Sequence, residues 1–490
     1  MICVPIVGPS QAQALQDLDR CQEVADLIEL RLDLIEDARL PELMKAAGKP
    51  VIVTCRRKME GGQFKGSEEE RIAVLRRAID LGAPYLDIET STPAPLLKAV
   101  LENKGDTRTI LSHHDFTRTD ERLGQLYEVM CEMPADILKI VTYAQDINDN
   151  LTLFQLLYRA KKEERRLIAF CMGEKGEVSR ILSVHLGGFL TFGSLDTGKE
   201  SAPGQIPARV LKYVYRAGEL SPEAGIYGVI GDPVNKSLGY LIHNTAFQET
   251  GLPHVYVPFL VKNVLKFFNG FEPYLSGLSV TMPHKETIRR VLDAVDPEAE
   301  RIGAVNTVVQ EKGRWVGYNT DGRGALKALE VYGPVKGRKV VIIGAGGTAR
   351  AIGHALAGAG ADLTFTWHRN REKAEGLARD LDAGLIRLGE LETRSLDILI
   401  NCSPAGMTPN ENETPCPARV FRPGMIVFDS VYNPLETRLI REAREAGATV
   451  IPGVELFVNQ AVAQFELWTG RKAPVEAMRQ VVLQKLRESA

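Results

Sequence analysis

Arg216-Ala-Gly-Glu-Leu-Ser-Pro-Glu-Ala-Gly225 is the joint on which the chain divides. Two glycines, a proline and several polar residues in so short a run suit a connection better than a helix or strand. One full alternation of strands and helices precedes it, and a second, with different motifs, follows. In a chain of 490 residues a single core is not expected, because cores stop growing at roughly 250 to 300 residues. Hydrophobic residues at 44%, charged residues at 25% and a net charge of −3 describe an ordinary globular protein with no basic excess for nucleic acid. No apolar run is long enough to span a membrane. The start, Met1-Ile-Cys-Val-Pro-Ile-Val-Gly8, is strand-like and carries no charged segment ahead of a long apolar core, so no secretory leader is expected. The seven cysteines (3, 21, 55, 131, 171, 402, 416) are odd in number and form no Cys-x-x-Cys pair. That argues against a disulfide framework or a zinc site, and a reducing cytoplasm fits best.

Upstream of the joint, β-rich runs recur at Ile2 to Val7, Leu27 to Leu34, Val51 to Cys55, Tyr85 to Glu89, Thr109 to Ser112, Ile137 to Tyr143, Leu167 to Met172 and Leu190 to Leu195. Helical stretches separate most of them, such as Glu68 to Leu81, where Ile72, Leu75 and Ile79 follow the 3.6-residue period. Eight such units predict an α/β fold, a (β/α)8 TIM barrel over residues 1–217, with 218–224 as linker and a site at the C-terminal strand ends. Polar residues gather at those ends: Glu29, Arg31, Arg56, His113, His114, and Ser201 and Gln205 after the last strand. Lys139 interrupts Ile137-Leu-Lys-Ile-Val141, a strand otherwise fit for burial. A buried lysine loses proton affinity, and its neutral amine can attack a carbonyl; alternatively its stem packs while the ammonium reaches the rim. Arg31, Arg56 and Arg180 with Glu29 and Glu60 suit an anionic, hydroxyl-rich substrate.

Downstream, Ile226 to Ile230, Val255 to Phe259, Gly277 to Thr281 and Asn306 to Val309 predict a four-strand α/β substrate domain over 225–324, joined by C-terminal helices at about 455–490. Arg338-Lys-Val-Val-Ile-Ile343 then runs into Gly344-Ala-Gly-Gly-Thr-Ala349 and a helix to Ala359. This G-x-G-x-x-A turn between strand and helix is the dinucleotide fingerprint, its glycines letting backbone approach a pyrophosphate. Residues 325–454 are therefore expected to be a Rossmann domain, with Gly344, Ala345, Gly346, Gly347 and Thr348 at the cofactor. The following strand, Asp362 to Trp367, ends in His368-Arg-Asn-Arg371 rather than a carboxylate. That favours NADP over NAD, with Arg369 and Asn370 at the 2′-phosphate; two solvated arginines opening a helix are the alternative. Lys285 and Asp321 are the residue types of a proton relay beside a nicotinamide, although the sequence alone does not bring them together.

Glu29-Leu-Arg-Leu-Asp33, Thr54-Cys-Arg56, Ser112-His-His-Asp-Phe116, Ala135-Asp-Ile-Leu-Lys139, Gly176-Glu-Val-Ser-Arg180 and Ser201-Ala-Pro-Gly-Gln205 resemble the motif set of type I 3-dehydroquinate dehydratases. The resemblance implies that Lys139 forms an imine with 3-dehydroquinate and that His114 is the acid–base group, oriented by Glu60. It implies further that Arg180 holds the carboxylate, while Glu29, Arg31, Arg56, Ser201 and Gln205 bind hydroxyls and close the site. His113 is then structural. Beyond the joint, Ser279-Val-Thr-Met-Pro-His-Lys285, Gly303-Ala-Val-Asn306-Thr307, Gly317-Tyr-Asn-Thr-Asp-Gly322 and Gly453-Val-Glu-Leu-Phe-Val-Asn-Gln460 resemble shikimate dehydrogenase. There the resemblance implies catalysis by Lys285 and Asp321, a substrate site of Ser237, Thr281, Asn306, Tyr432 and Gln460, and a cofactor contact at Gly453.

Together the resemblances imply one sequence of reactions towards aromatic amino acids: dehydration of 3-dehydroquinate to 3-dehydroshikimate, then NADPH-dependent reduction to shikimate. One stretch departs from the pattern. Where the family carries His-Ser-x-Ser-Pro, this chain has Lys236-Ser-Leu-Gly-Tyr240. Losing one hydroxyl donor to a carboxylate costs roughly 1 to 3 kcal/mol unless replaced. Lys236 is a candidate replacement, and space at Gly239 would admit quinate with its extra C1 hydroxyl. A quinate-utilising enzyme and a catalytically silent metabolite sensor are the alternatives to the biosynthetic reading. The sequence leaves oligomeric state open.

Overall fold

The computed structural model describes residues 1–221, 223–234, 237–367 and 371–488. They form two compact units, Met1–Ala224 with Phe259–Tyr274, and Gly225–Pro258 with Leu275–Ala490.

In the first unit, strands β1 (Ile2–Ile6), β2 (Leu27–Arg31), β3 (Val51–Thr54), β4 (Tyr85–Glu89), β5 (Arg108–His114), β6 (Ile137–Tyr143), β7 (Leu167–Met172) and β8 (Thr191–Ser194) alternate with helices. A two-residue strand, β9 (Ile206–Pro207), extends the edge. The ladder order is β7-β6-β5-β4-β3-β2-β1-β8-β9, and its pairings are parallel. This is the curled sheet of the expected barrel. Its seam lies between β7 and β8, where Phe189 N–H donates to the Leu167 carbonyl at 2.8 Å and the Phe170 and Phe192 rings meet at 6.0 Å. Alternate residues point inward, and Cys3, Leu27, Ile52, Ile110, Ile137, Ile168 and Phe192 form the interior apolar core. β5 is longer than the apolar run suggests, so His113 and His114 end the strand itself.

The segment Phe259–Tyr274 belongs to this unit. Its helix Val264–Phe271 turns Phe271 onto Phe154 of the barrel helix Asp149–Lys162 (centroids 6.1 Å), and Tyr274 follows at 5.6 Å. Asn148 donates to the Lys266 carbonyl at 3.1 Å, and Lys266 pairs with Asp146 at 3.1 Å.

The second unit holds two sheets. The first contains β10 (Ile226–Gly231), β11 (Val255–Leu260), β12 (Leu275–Val280), β13 (Ala294–Val295), β14 (Thr307–Glu311) and β15 (Arg314–Tyr318), in the order β11-β10-β12-β14-β15-β13. The four-strand expectation missed β13 and β15. β14 and β15 form an antiparallel hairpin whose turn, Lys312-Gly313, has φ of 51° and 79°; paired positive φ values of this kind match the right-handed twist of flanking strands. The second sheet contains β16 (Lys339–Ile343), β17 (Asp362–Trp367), β18 (Gly384–Arg387), β19 (Ile398–Asn401), β20 (Ile426–Asp429) and β21 (Thr449–Ile451), ordered β18-β17-β16-β19-β20-β21 and parallel throughout. That is the doubly wound Rossmann arrangement, with its order reversing beside β16.

Candidate functional sites

The nine candidate residues of the barrel, Glu29, Arg31, Arg56, Glu60, His114, Lys139, Arg180, Ser201 and Gln205, line one cavity with Phe170, Met172 and Phe192. Lys139 projects inward from β6, 5% exposed. Its Nζ donates to Asp87 Oδ2 at 3.0 Å, lies 3.9 Å from Glu29 Oε1, and faces the Phe192 ring at 4.4 Å. The ammonium is thus paired inside the barrel and does not snorkel to the rim. Arg56 Nη1 donates to Asp87 at 2.7 Å, Glu89 at 3.0 Å and Ser112 at 2.9 Å, and Arg71 secures the far oxygen of Glu89 at 2.7 Å. Burial penalises the Asp87 carboxylate, yet Arg56 and Lys139 outweigh it and hold the group well below the ordinary carboxylate range. Arg31 is clamped by both oxygens of Asp33 at 2.9 and 2.8 Å.

Glu60 Oε2 meets His114 Nδ1 at 3.0 Å and accepts from the His114 backbone N–H at 3.2 Å, while Ser91 donates to Oε1. Burial, reinforced by Arg56 and Lys139, holds His114 well below its usual pKa. The imidazole is therefore neutral at pH 7: Nδ1–H donates to Glu60, and Nε2 is left with a lone pair, the state required of a base. Arg180 has no such partner. It is 1% exposed, donates through Nη2 to the Pro203 carbonyl at 3.0 Å, and leaves Nε without an acceptor. Burial pulls it down to about 10. Gln205 Nε2 is likewise unpartnered, while its Oε1 accepts from Ser201 N–H at 2.7 Å. A buried cation and an amide with spare donors make a receptor for an anionic group.

In the second unit Lys285 and Asp321 do meet: Nζ to Oδ2 is 2.5 Å, and Asn306 Nδ2 takes Oδ1 at 2.7 Å. Asn306 is itself fixed, since its Oδ1 accepts from Thr320 N–H at 2.8 Å and Thr307 Oγ1 at 2.7 Å. Asp321 opens the helix Asp321–Glu330. A Cβ at Gly322 would lie 2.5 Å from the Ala351 carbonyl, so glycine lets this helix press against Gly347–Gly358, which follows the glycine-rich turn. Lys285 Cδ is consequently 3.8 Å from the Cβ position of Gly347.

The turn fits a dinucleotide. Gly344 has φ +114°, and a Cβ there would meet the Cys402 carbonyl at 3.0 Å. Gly346, the N-cap of the helix, has no side-chain cap, and a Cβ on it would meet nothing within 4 Å. The first N–H groups beside Gly347 and Thr348 thus lack a side-chain acceptor, next to open space. Ala345 is half-buried in the turn. Gly453 opens the helix Gly453–Thr469 against the Val431 carbonyl. Arg369 and Asn370 lie outside the described residues, as does Lys236. Arg371 and Arg387 flank the Trp367 ring at 5.5 and 5.8 Å.

Ser237 Oγ accepts from Gly239 N–H at 3.2 Å. The Tyr432 hydroxyl bonds the Leu238 backbone, and its ring stacks on Phe457 at 4.5 Å. Thr281 follows β12, its N–H donating to the Ile230 carbonyl at 3.0 Å. Gln460 donates to the Phe457 carbonyl at 2.9 Å. A Cβ on Gly239 would meet Tyr256 Cε1 and hydroxyl at 3.1 Å and Ser237 Oγ at 3.2 Å. Tyr256 is buried on β11 and bonded to Ser279. Asp87, Glu89, Ser112, Tyr256, Ser279 and Gln464 all belong to these networks and were missed. Asp87 and Glu89 carried the signal that marked Lys139, charge on alternate positions of an apolar strand.

Known proteins resemble both halves of the chain. Family models match at residues 2–221 (type I 3-dehydroquinase), 229–308 (shikimate dehydrogenase substrate binding domain), 326–414 (shikimate / quinate 5-dehydrogenase) and 453–483 (shikimate 5′-dehydrogenase C-terminal domain). The chloroplastic bifunctional 3-dehydroquinate dehydratase/shikimate dehydrogenase of Arabidopsis thaliana is 37% identical over 510 residues, covering 98% of this chain and 84% of that one. The shikimate biosynthesis protein AroDE of Chlamydia pneumoniae is 33% identical over 480 residues, covering 96% and 95%. Among solved structures, a shikimate dehydrogenase in complex with NADP+ is 38% identical with a TM-score of 0.53, covering 55% of this chain and 97% of that one. The shikimate 5-dehydrogenase of Thermus thermophilus in complex with NADP(H) and shikimate is 33% identical with a TM-score of 0.50, covering 53% and 99%.

Proposed function

The chain belongs to the family of bifunctional 3-dehydroquinate dehydratase/shikimate dehydrogenases, and from that we propose how its own residues divide the work. It is a lyase and an NADP-dependent oxidoreductase in one polypeptide: 3-dehydroquinate is dehydrated to 3-dehydroshikimate, which is reduced to shikimate. The observation that carries the assignment of roles is the convergence of nine side chains on one cavity around Lys139.

In the barrel, Lys139 adds to the C3 carbonyl of 3-dehydroquinate and loses water to give an iminium, which acidifies the C2 protons. His114 Nε2 removes one and returns it to the departing C1 hydroxyl, while Glu60 keeps the ring in the right tautomer. Water then releases 3-dehydroshikimate and restores the amine. Arg180 and Gln205 receive the carboxylate, and Glu29, Arg56 and Ser201 the hydroxyls. Arg31, tied to Asp33, acts by shaping that wall.

In the second unit, Gly344 to Thr348 and Gly453 would hold NADP, with Arg369 and Asn370 at its 2′-phosphate and Arg371 and Arg387 nearby. When bound, NADPH supplies hydride to the substrate carbonyl carbon. Lys285 gives its proton to the carbonyl oxygen, and Asp321, fixed by Asn306, holds the ammonium in place. Ser237, Thr281, Tyr432 and Gln460 surround the ring of 3-dehydroshikimate. The domains on this reading are 1–217, 225–324 with about 455–490, and 325–454. Among the described residues no helix is long and apolar enough to cross a membrane, and seven free thiols support a cytoplasmic setting.

The test is a division of labour. Given 3-dehydroquinate and NADPH alone, the protein should consume NADPH. Lys139→Ala should do so only when 3-dehydroshikimate is supplied, and Lys285→Ala should accumulate 3-dehydroshikimate. Loss of both activities from either folded variant would overturn the two-site reading.

A further inference from the structure

We infer that Asp87 is the counter-ion of the Lys139 nitrogen through the covalent part of the dehydration, a role that rests on the dehydratase reading above. Its side chain is fully buried on β4, with Oδ2 3.0 Å from Lys139 Nζ. Its other oxygen is occupied, accepting from Arg56 Nη1 at 2.7 Å and Ser112 Oγ at 2.7 Å, so Oδ2 is held towards the lysine. The rival carboxylate, Glu29, stands at 3.9 Å, and its near oxygen already accepts from Thr54 Oγ1 at 2.8 Å.

The other charged groups around Lys139 leave this role open to Asp87. Arg31, on β2, is neutralised by Asp33. Arg56, just after β3, is shared by Asp87 and Glu89. His114, on β5, is held neutral by burial and the neighbouring cations, and Phe192, on β8, offers only a ring face. Arg180, on the helix Glu177–Leu182, donates to a backbone carbonyl rather than a carboxylate and awaits an anion.

Charge on the lysine nitrogen comes and goes during the reaction. The ammonium carries it; the amine that attacks C3 does not. Addition forms the N–C3 bond, and loss of the carbinol oxygen as water leaves a C=N⁺–H iminium. Its remaining N–H still has Asp87 Oδ2 as acceptor. Removal of the C2 proton sends the C–H electron pair into the C2–C3 bond and gives a neutral enamine. Expulsion of the C1 hydroxyl as water, with the proton held by His114, restores the iminium, now conjugated, and hydrolysis returns the amine. A fixed anion in a water-poor cavity favours the charged members of this series. It therefore promotes the iminium.

Asp87→Asn keeps an acceptor for Arg56 and Ser112 and removes the charge. In the full chain it should lower kcat for dehydration at least 10-fold and reduce the Lys139 adduct trapped by borohydride from 3-dehydroquinate. NADPH-dependent reduction of 3-dehydroshikimate should be unchanged, and Ser112→Ala, which keeps the Asp87 charge, should retain most of the adduct. Wild-type adduct yield in Asp87→Asn would overturn the assignment, as would an equal loss of adduct in Ser112→Ala. If Asp87→Asn does not fold, Asp87→Glu and Asp87→Ser decide: the first should retain the adduct and the second lose it at least 10-fold, and equal yields from the two would overturn the assignment. Absence of any adduct in the wild-type protein would instead defeat the dehydratase reading itself.

Discussion

Lys285 Nζ lies 2.5 Å from Asp321 Oδ2, and the second oxygen of that carboxylate is taken by the Asn306 amide at 2.7 Å. The lysine is therefore aimed by a carboxylate that cannot rotate freely. Asp321→Asn should lower kcat for reduction by about 100-fold, the scale of positioned acid–base catalysis, with KM for NADPH and the dehydratase rate unaltered. Steady-state assays of both half-reactions on one preparation check this.

Arg180 is a buried cation whose Nε has no partner. Arg180→Gln should lower kcat/KM for 3-dehydroquinate by roughly 10- to 200-fold, as expected for one charge-assisted contact of about 1.5 to 3 kcal/mol. The same change should raise the melting temperature of the ligand-free dehydratase, since it removes an uncompensated buried charge. Calorimetry beside kinetics would separate the two effects; a variant that loses stability shows that Arg180 is a structural residue.

Burial and the surrounding cations depress His114 well below its usual pKa. A base that stays unprotonated below pH 6.5 should sustain kcat/KM for dehydration into the acid range. A pH–rate profile whose acid limb falls at the ordinary histidine value would contradict the neutral, Glu60-bound state.

All three tryptophans, Trp315, Trp367 and Trp468, belong to the second unit, so their fluorescence reports its unfolding separately. His243, 1% exposed and 5.0 Å from Trp468, is pulled down to about 3 by burial. Its folded pKa is below the unfolded one, so its contribution is present above about 6.5 and is lost as pH falls. Each pH unit below that should cost about 1.4 kcal/mol until the folded pKa is reached. Denaturant midpoints at pH 7 and 5 should differ less in His243→Gln than in the wild type.

Gly239 has Tyr256 3.1 Å from its Cβ position. Gly239→Ser should therefore destabilise the second unit by about 1 to 3 kcal/mol through overpacking and raise KM for 3-dehydroshikimate. Improved binding would show that room for the serine exists.

These contacts also show what the primary structure could tell. Lys139 announced itself because a charge inside an apolar strand has few explanations, and Asp87 and Glu89 broke the next strand but one in the same way. Reading a charge is local; finding its partner requires the barrel to close. Tyr256 was illegible because its effect on Gly239 depends on β11 lying behind the helix Gly239–Glu249, a relation that no periodicity encodes. β15 was hidden for a different reason: its alternation is short, and its turn, Lys312-Gly313, uses a lysine at positive φ, where asparagine or glycine is the usual signal.

The barrel's outer surface is completed by residues that come after the joint: Phe271 and Tyr274 pack on Phe154, which is 1% exposed. During synthesis the dehydratase therefore leaves the ribosome unfinished, with an aromatic patch bare until Tyr274 has been translated. Gene fission at the joint would inherit that patch as a permanent liability, so a solitary dehydratase cut at Ala224 should need either a polar substitution at Phe154 or a chaperone to stay in solution.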